Sequence, residues 1–150
     1  MIITFVGHSS LGNCEELREI LKRTIAKSIK LDKKTLFYCG GYGDFDRLSA
    51  EVCCSIKETN PNCETIFITP YITESQQEKA KYLINIGLYD SIIYPPLENV
   101  PLRFAIIKRN EWMINEADLV IAYVKYTHGG AYKTLEYARR KKKSIINLAK

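Results

Sequence analysis

Histidine and cysteine are too sparse and too scattered in this chain to build a metal centre. There are two His, His8 and His128, and five Cys at positions 14, 39, 53, 54 and 63 with no CxxC pair. An odd, unpatterned cysteine count also argues against a disulfide framework and for reduced thiols, which predicts a cytoplasmic protein. Long apolar runs are missing as well: the longest, Ala117 to Val124, is interrupted by Asp118. The opening MIITFVGH has no basic leader before its short apolar stretch, so neither a transmembrane helix nor a signal peptide is expected, and no membrane partner. Repeats, linkers and low-complexity segments are absent.

What is present describes one globular domain, 1–150. The 150 residues are 46% hydrophobic and 26% charged, and a chain of this length buries about 70% of its unfolded surface without needing a metal or a disulfide. The formal charge of +5 suits nucleic acid, a membrane surface or a small anionic ligand, and does not choose among them.

Short β-branched runs alternate with stretches of helical period, the pattern of βαβ units. Strands are expected at 2–6, 35–39, 64–69, 91–94, 118–124 and 144–148. Helices are expected from Asn13, whose spacing to Glu16 suits a capping box, then over 44–58 with Asp44 as N-cap, and over 74–86, 101–115 and 128–142. Right-handed crossovers arrange such elements as a Rossmann-like three-layer α/β/α sandwich with a mostly parallel sheet, which binds ligands beyond the carboxyl ends of its strands. Glycine concentrates at those positions.

The first candidate loop, after strand one, holds Gly7, His8 and Ser9. The second, Gly40, Gly41, Tyr42, Gly43, Asp44 and Phe45, is either a tight turn that needs glycine for its geometry or an anion cradle at a helix entrance. It matches neither GxGxxG nor GxxxxGK[ST]. Pro70 and Tyr71 follow strand three. The last loop, His128, Gly129, Gly130, Ala131, Tyr132, Lys133 and Thr134, opens another helix, so that two facing helix N-termini could hold a diphosphate. Glu136 lies a turn and a half into that helix, placed either to look into the pocket or to be solvated. Arg109 offers a bidentate grip on phosphate and Asn110 can read a base edge or a ribose, or Arg109 forms a surface ion pair with Glu111 or Glu116. The basic run Arg139 to Lys143 reads as a solvated helix end, where cations suit the macrodipole. The ten Tyr do not interleave with basic residues as a single-strand binder requires, which disfavours nucleic acid as a partner; Tyr42, Tyr71, Tyr94, Tyr126 and Tyr132 instead fall near strand ends, where they could stack on one base or ribose.

The segments FVGH, CGGYGDFDRLSAEV, RNEWMINEADLVIAYV and GGAYKTLEYARRKKKSIIN, in that order, resemble the SLOG superfamily, which groups the Smf/DprA and Lonely Guy proteins. The likeness is greatest to its small stand-alone bacterial branch and covers nearly the whole chain. It implies a Rossmann-like domain that binds nucleotides or nucleotide-derived molecules, some members sensing NAD-derived or cyclic-nucleotide signals in bacterial immunity. It also implies a homo-oligomer, to which the apolar Trp112 and Met113 could contribute. Lonely Guy phosphoribohydrolases carry RKxxM and PGGxGTxxE, whose Arg and final Glu are catalytic. Arg109 and Met113 match the first motif, and Gly129, Gly130 and Glu136 the second. Asn110 stands in place of the Lys, His128 of the Pro, Tyr132 of the third Gly and Lys133 of the Thr, so the hydrolase phosphate loop is not reproduced.

The sequence therefore points first to non-catalytic binding of a nucleotide-derived small molecule, for sensing or sequestration, with no cofactor. The alternative is hydrolysis of a nucleotide N-glycosidic bond, with Glu136 acting at an oxocarbenium-like centre and Arg109 holding phosphate.

Overall fold

Side chains on a strand alternate between two faces, and here that period of two builds the core. In the computed structural model, which describes residues 1–149, β1 (Ile2–Gly7) sends Ile3 and Phe5 to one side and Val6 to the other. β2 (Thr35–Cys39) divides Phe37 and Cys39 from Tyr38, and β3 (Cys63–Ile68) divides Cys63 and Phe67 from Ile66 and Ile68. With β4 (Ser91–Ile93), β5 (Leu119–Tyr123) and β6 (Ser144–Asn147) they form a six-stranded sheet of order β4-β3-β2-β1-β5-β6. Every pairing in it is parallel.

Strands this apolar need cover on both faces. α1 (Glu15–Ser28), α2 (Asp44–Thr59) and α3 (Glu74–Asn85) supply Leu21, Ile25, Phe45, Val52 and Ala80 to one face. α4 (Ala105–Glu116) and α5 (Gly130–Arg140) supply Ile114, Leu135 and Ala138 to the other. The right-handed rule for parallel crossovers accounts for the division: β1 to β4 advance in one direction, and the chain then passes back across β1 to lay down β5 and β6. The result is the expected three-layer sandwich.

Local differences from the sequence reading have identifiable causes. Asn13 Oδ1 accepts from the Glu15 N–H at 3.0 Å, a bond spanning two residues, so Cys14 becomes the N-cap of α1 and Glu16 closes no capping box. Gly43 rather than Asp44 caps α2, because the Asp44 carboxylate reaches across to accept from the Leu11 N–H at 2.9 Å. The helix expected over 101–115 is a 3-10 turn, Leu102–Phe104, running into α4. In the basic run, Lys142 takes a positive φ as α5 ends, and Lys143 Nζ donates to Asn115 O and Ala117 O, both at 3.0 Å, closing the end of α4.

Strand order reverses at β1, which has β2 on one flank and β5 on the other. The crevice beyond the carboxyl ends of β1 and β5 is where a doubly wound sheet receives its ligand.

Candidate functional site

A cavity of about 430 Å³ lies at that crevice. Thr4 to Ser10 supply it from β1 and the following loop, Tyr42 and Asp46 from the entrance of α2, Ile106, Arg109, Asn110, Met113 and Ile114 from α4, and Tyr126, His128 to Ala131 and Thr134 from the entrance of α5. Gly7, His8, Ser9, Tyr42, Arg109, Asn110, His128, Gly129, Gly130, Ala131 and Thr134 of the sequence-derived candidates are therefore brought together.

The two glycine-rich helix entrances behave differently. Gly129, at φ 93°, caps α5 without a side chain, and a Cβ on Gly129 or Gly130 would meet nothing within 4 Å. The N–H groups of Gly130, Ala131 and Tyr132 find no acceptor among the described residues. An open first turn of this kind carries the positive end of the helix dipole and unpaired donors, a geometry that suits an anion. At α2 two of the three corresponding donors are already used, Asp44 N–H on Ser9 O at 2.9 Å and Phe45 N–H on His8 O at 3.3 Å, and only the Asp46 N–H finds no acceptor among the described residues. Gly43, at φ 88°, is needed there because Ser9 Cα lies 2.7 Å from where a Cβ would stand. Of the two helix entrances expected to face an anion, α5 therefore leaves all three first-turn donors open and α2 only one. Gly40, Gly41, Gly43, Asp44 and Phe45 shape the floor without lining the cavity.

Arg109 is 1% exposed and forms no surface ion pair. Its Nη1 donates to Gly40 O at 2.7 Å and to Ile68 O at 2.6 Å, and its Nε to Asn110 Oδ1 at 2.9 Å. It therefore ties α4 to the carboxyl ends of β2 and β3, and its planar fork suits that task as a lysine could not. Burial draws its pKa below the ordinary value, opposed by the nearby Asp46. Asp46 in turn accepts from the Tyr42 N–H at 3.0 Å. Desolvation raises its carboxyl to about 6, against the lowering influence of Arg109 and of that bond. Tyr42 stacks near the guanidinium, 5.3 Å from ring centroid to Cζ, and its hydroxyl is buried with no partner among the described residues.

Aromatic rings edge the other side. His8 Nε2 accepts from the Lys125 N–H at 2.8 Å, which fixes the imidazole beside the loop after β5. Its ring lies 5.1 Å from that of Tyr126, which in turn lies 5.8 Å from that of His128, nearly parallel to it. Tyr126 is half exposed, leaving ring area for a flat ligand to cover.

The remaining candidates fall elsewhere. Pro70 and Tyr71 sit past the end of β3, where Thr69 Oγ1 donates to Tyr71 O at 2.9 Å, and they do not line the cavity. Tyr132 packs with the cluster under α5, Lys133 is exposed, and Glu136 pairs with Arg139 on the same helix, outside the cavity. Met113 is buried and Trp112 stacks on Tyr38 at 5.7 Å, so neither offers the free apolar face that oligomerisation was expected to use. The cavity residues that sequence reasoning missed are Thr4, Phe5, Val6, Ser10, Asp46, Ile106, Met113 and Ile114, whereas Tyr126 lines it as one of the strand-end tyrosines. Asp46 had a visible signal, a carboxylate three residues beyond the last glycine of the loop. Among the described residues no group of His, Cys, Asp and Glu could hold a metal ion. The five thiols are free, and burial pushes those of Cys53, Cys54 and Cys63 up.

No family model and no curated protein matches this chain. Among solved structures it is similar to DNA processing protein A (DprA) from Streptococcus pneumoniae, at 15% identity and a TM-score of 0.61, over 95% of this chain and 48% of that one. It is also similar to DNA processing protein A from Helicobacter pylori, described for its single-stranded DNA binding mode, at 18% identity and a TM-score of 0.62, over 97% of this chain and 63% of that one. The Chlamydomonas rheinhardtii Moco carrier protein matches at 16% identity and a TM-score of 0.52, over 99% of this chain and 76% of that one. The chain spans about half the length of the first DprA structure and less than two thirds of the second. These likenesses show the Rossmann-like fold. Among the described residues no helix is long and apolar enough to cross a membrane.

Proposed function

We propose that the protein binds a nucleotide-derived small molecule, sensing or sequestering it without transforming it. One observation carries this reading: an uncapped helix entrance, Gly129 to Ala131, opens on a cavity of about 430 Å³ at the strand-order reversal. That volume lies in the range of small-molecule sites, roughly 300–1,000 Å³. A phosphate on the α5 amides and a base against His8, Tyr126 and His128 would fill both kinds of surface. The SLOG resemblance adds NAD-derived and cyclic-nucleotide signals as the molecules to try first. Hydrolysis is less well supported, because Glu136, which it requires at the glycosidic bond, is held on Arg139 outside the cavity. The test is to denature the purified protein and identify released small molecules by mass spectrometry, followed by calorimetry with the compound found. Release of a phosphate-bearing heterocycle that rebinds intact supports the reading; time-dependent appearance of free base would favour hydrolysis.

A second reading, single-stranded DNA, rests on the exposed Lys125 and Tyr126 at the mouth, with Lys125 Nζ 5.9 Å from the ring centroid. A cation beside an open aromatic face is what strand binding uses. Fluorescence anisotropy with a labelled oligonucleotide decides it: salt-sensitive binding lost in Tyr126→Ala would support DNA. A homo-oligomer belongs to the same proposal, now through Leu102, Phe104, Ile106 and Ile107, which stand exposed before and within the first turn of α4.

A further inference from the structure

The floor of the cavity carries two opposite charges that do not join. Asp46 Oδ2 is fixed by the Tyr42 N–H, and no donor among the described residues reaches Oδ1. Arg109 spends Nη1 on two carbonyls and Nε on Asn110, and its Nη2 has no acceptor among the described residues. The two groups flank Gly40: a Cβ there would stand 3.0 Å from Asp46 Oδ2 and 3.3 Å from Arg109 Nη2. They nevertheless form no ion pair, because Gly40 O and Ile68 O hold the guanidinium in place. A purely structural partnership would have closed that gap, since an ion pair buried away from water is stable only with good contact geometry.

A carboxylate acceptor and a guanidinium donor, side by side with open valences, select for a particular chemistry. A ligand anion is repelled by Asp46 and a ligand ammonium by Arg109. A hydroxyl donates and accepts at once and suffers neither repulsion. We infer that Asp46 and Arg109 Nη2 form a sugar-reading subsite, in which the ribose hydroxyls of a ribonucleotide donate to Asp46 Oδ1 and accept from Arg109 while the phosphate rests on the α5 entrance. This inference rests on the nucleotide reading given above. It places the sugar-contacting carboxylate at Asp46 rather than at Glu136, which pairs with Arg139 outside the cavity.

The test is calorimetry of wild type and Asp46→Asn with the four ribonucleoside 5′-monophosphates and 5′-diphosphates and their 2′,3′-dideoxy counterparts. Asparagine keeps the size and the acceptor for Tyr42 and removes the charge. Wild type should bind at least one ribonucleotide roughly ten- to a hundredfold tighter than its dideoxy counterpart, the range expected for hydrogen bonds to charged groups. Asp46→Asn should bring the pair to within about twofold, the sign that hydroxyl and carboxylate are coupled. If the variant does not fold, the discrimination by wild type decides alone. Equal binding of ribo and dideoxy forms, or discrimination that survives in Asp46→Asn, overturns the subsite and leaves the nucleotide reading intact. If wild type binds none of the panel, the subsite falls, and the nucleotide reading falls with it when ADP-ribose and a cyclic nucleotide also fail to bind.

Discussion

Truncating Arg109 to alanine should damage the fold before it damages any binding site. Two strand-end carbonyls, Gly40 O and Ile68 O, accept from the same Nη1 at 2.7 and 2.6 Å, and all three residues are buried. Hydrogen bonds from a charged donor contribute about 1.5–3 kcal/mol each, so losing both costs about 3–6 kcal/mol before any cavity is counted. A domain of this kind has only about 5–15 kcal/mol in hand. Urea unfolding followed by far-UV circular dichroism at pH 7 reads the difference directly, as a lower midpoint with an unchanged slope. Arg109→Lys should lie between the two, because an ammonium cannot span both carbonyls and hold Asn110 as well. A folded Arg109→Ala that loses less than about 1 kcal/mol would refute the strut, since it would show that both carbonyls are satisfied some other way.

Three further outcomes follow from the same structure. Ser49 is wholly buried in α2 with its hydroxyl unpartnered, so Ser49→Ala should raise stability by roughly 1 kcal/mol, combining a relieved polar group with a better helix former; thermal melts check it. Asp46, raised from 3.8 to about 6, binds its proton more tightly folded than unfolded, so its carboxyl lowers stability as pH rises across that window; Asp46→Asn should therefore be more stable than wild type at pH 7 and lose that advantage near pH 4 in urea titrations. Light scattering at tens of micromolar should show a species larger than 17.2 kDa, and Ile107→Glu, on the exposed start of α4, should return it to that mass.

Much of the fold was legible because the sheet is buried on both faces. Strand-length runs such as Thr35–Cys39 and Leu119–Tyr123 stand out against helices whose apolar residues recur every three or four positions. The site was legible only as a set of loops. Gly43 and Gly129 are equivalent on paper, each a glycine before a helix, and their φ angles are 88° and 93°. What separates them is Ser9, which arrives from a distant part of the chain to cover one entrance and not the other. Asp44 and Asp46 were likewise indistinguishable as acidic residues opening α2, where either complements the helix dipole. Their positions on the turn send Asp44 out to the Leu11 amide and Asp46 into the cavity. Trp112 looked like a docking surface because nothing local reveals that Tyr38, on β2, stacks under it.

The α5 entrance is open, and the α2 entrance is largely covered by the Ser9 and His8 carbonyls. Amide chemical shifts followed in a ¹H–¹⁵N correlation spectrum during titration with the same nucleotide panel test that claim residue by residue. Binding should move the N–H signals of Gly130, Ala131 and Tyr132 strongly, while those of Asp44 and Phe45, already committed to Ser9 and His8 carbonyls, stay nearly still. Large shifts at Asp44 and Phe45 with α5 unaffected, or no shift at either entrance with any member of the panel, would contradict it.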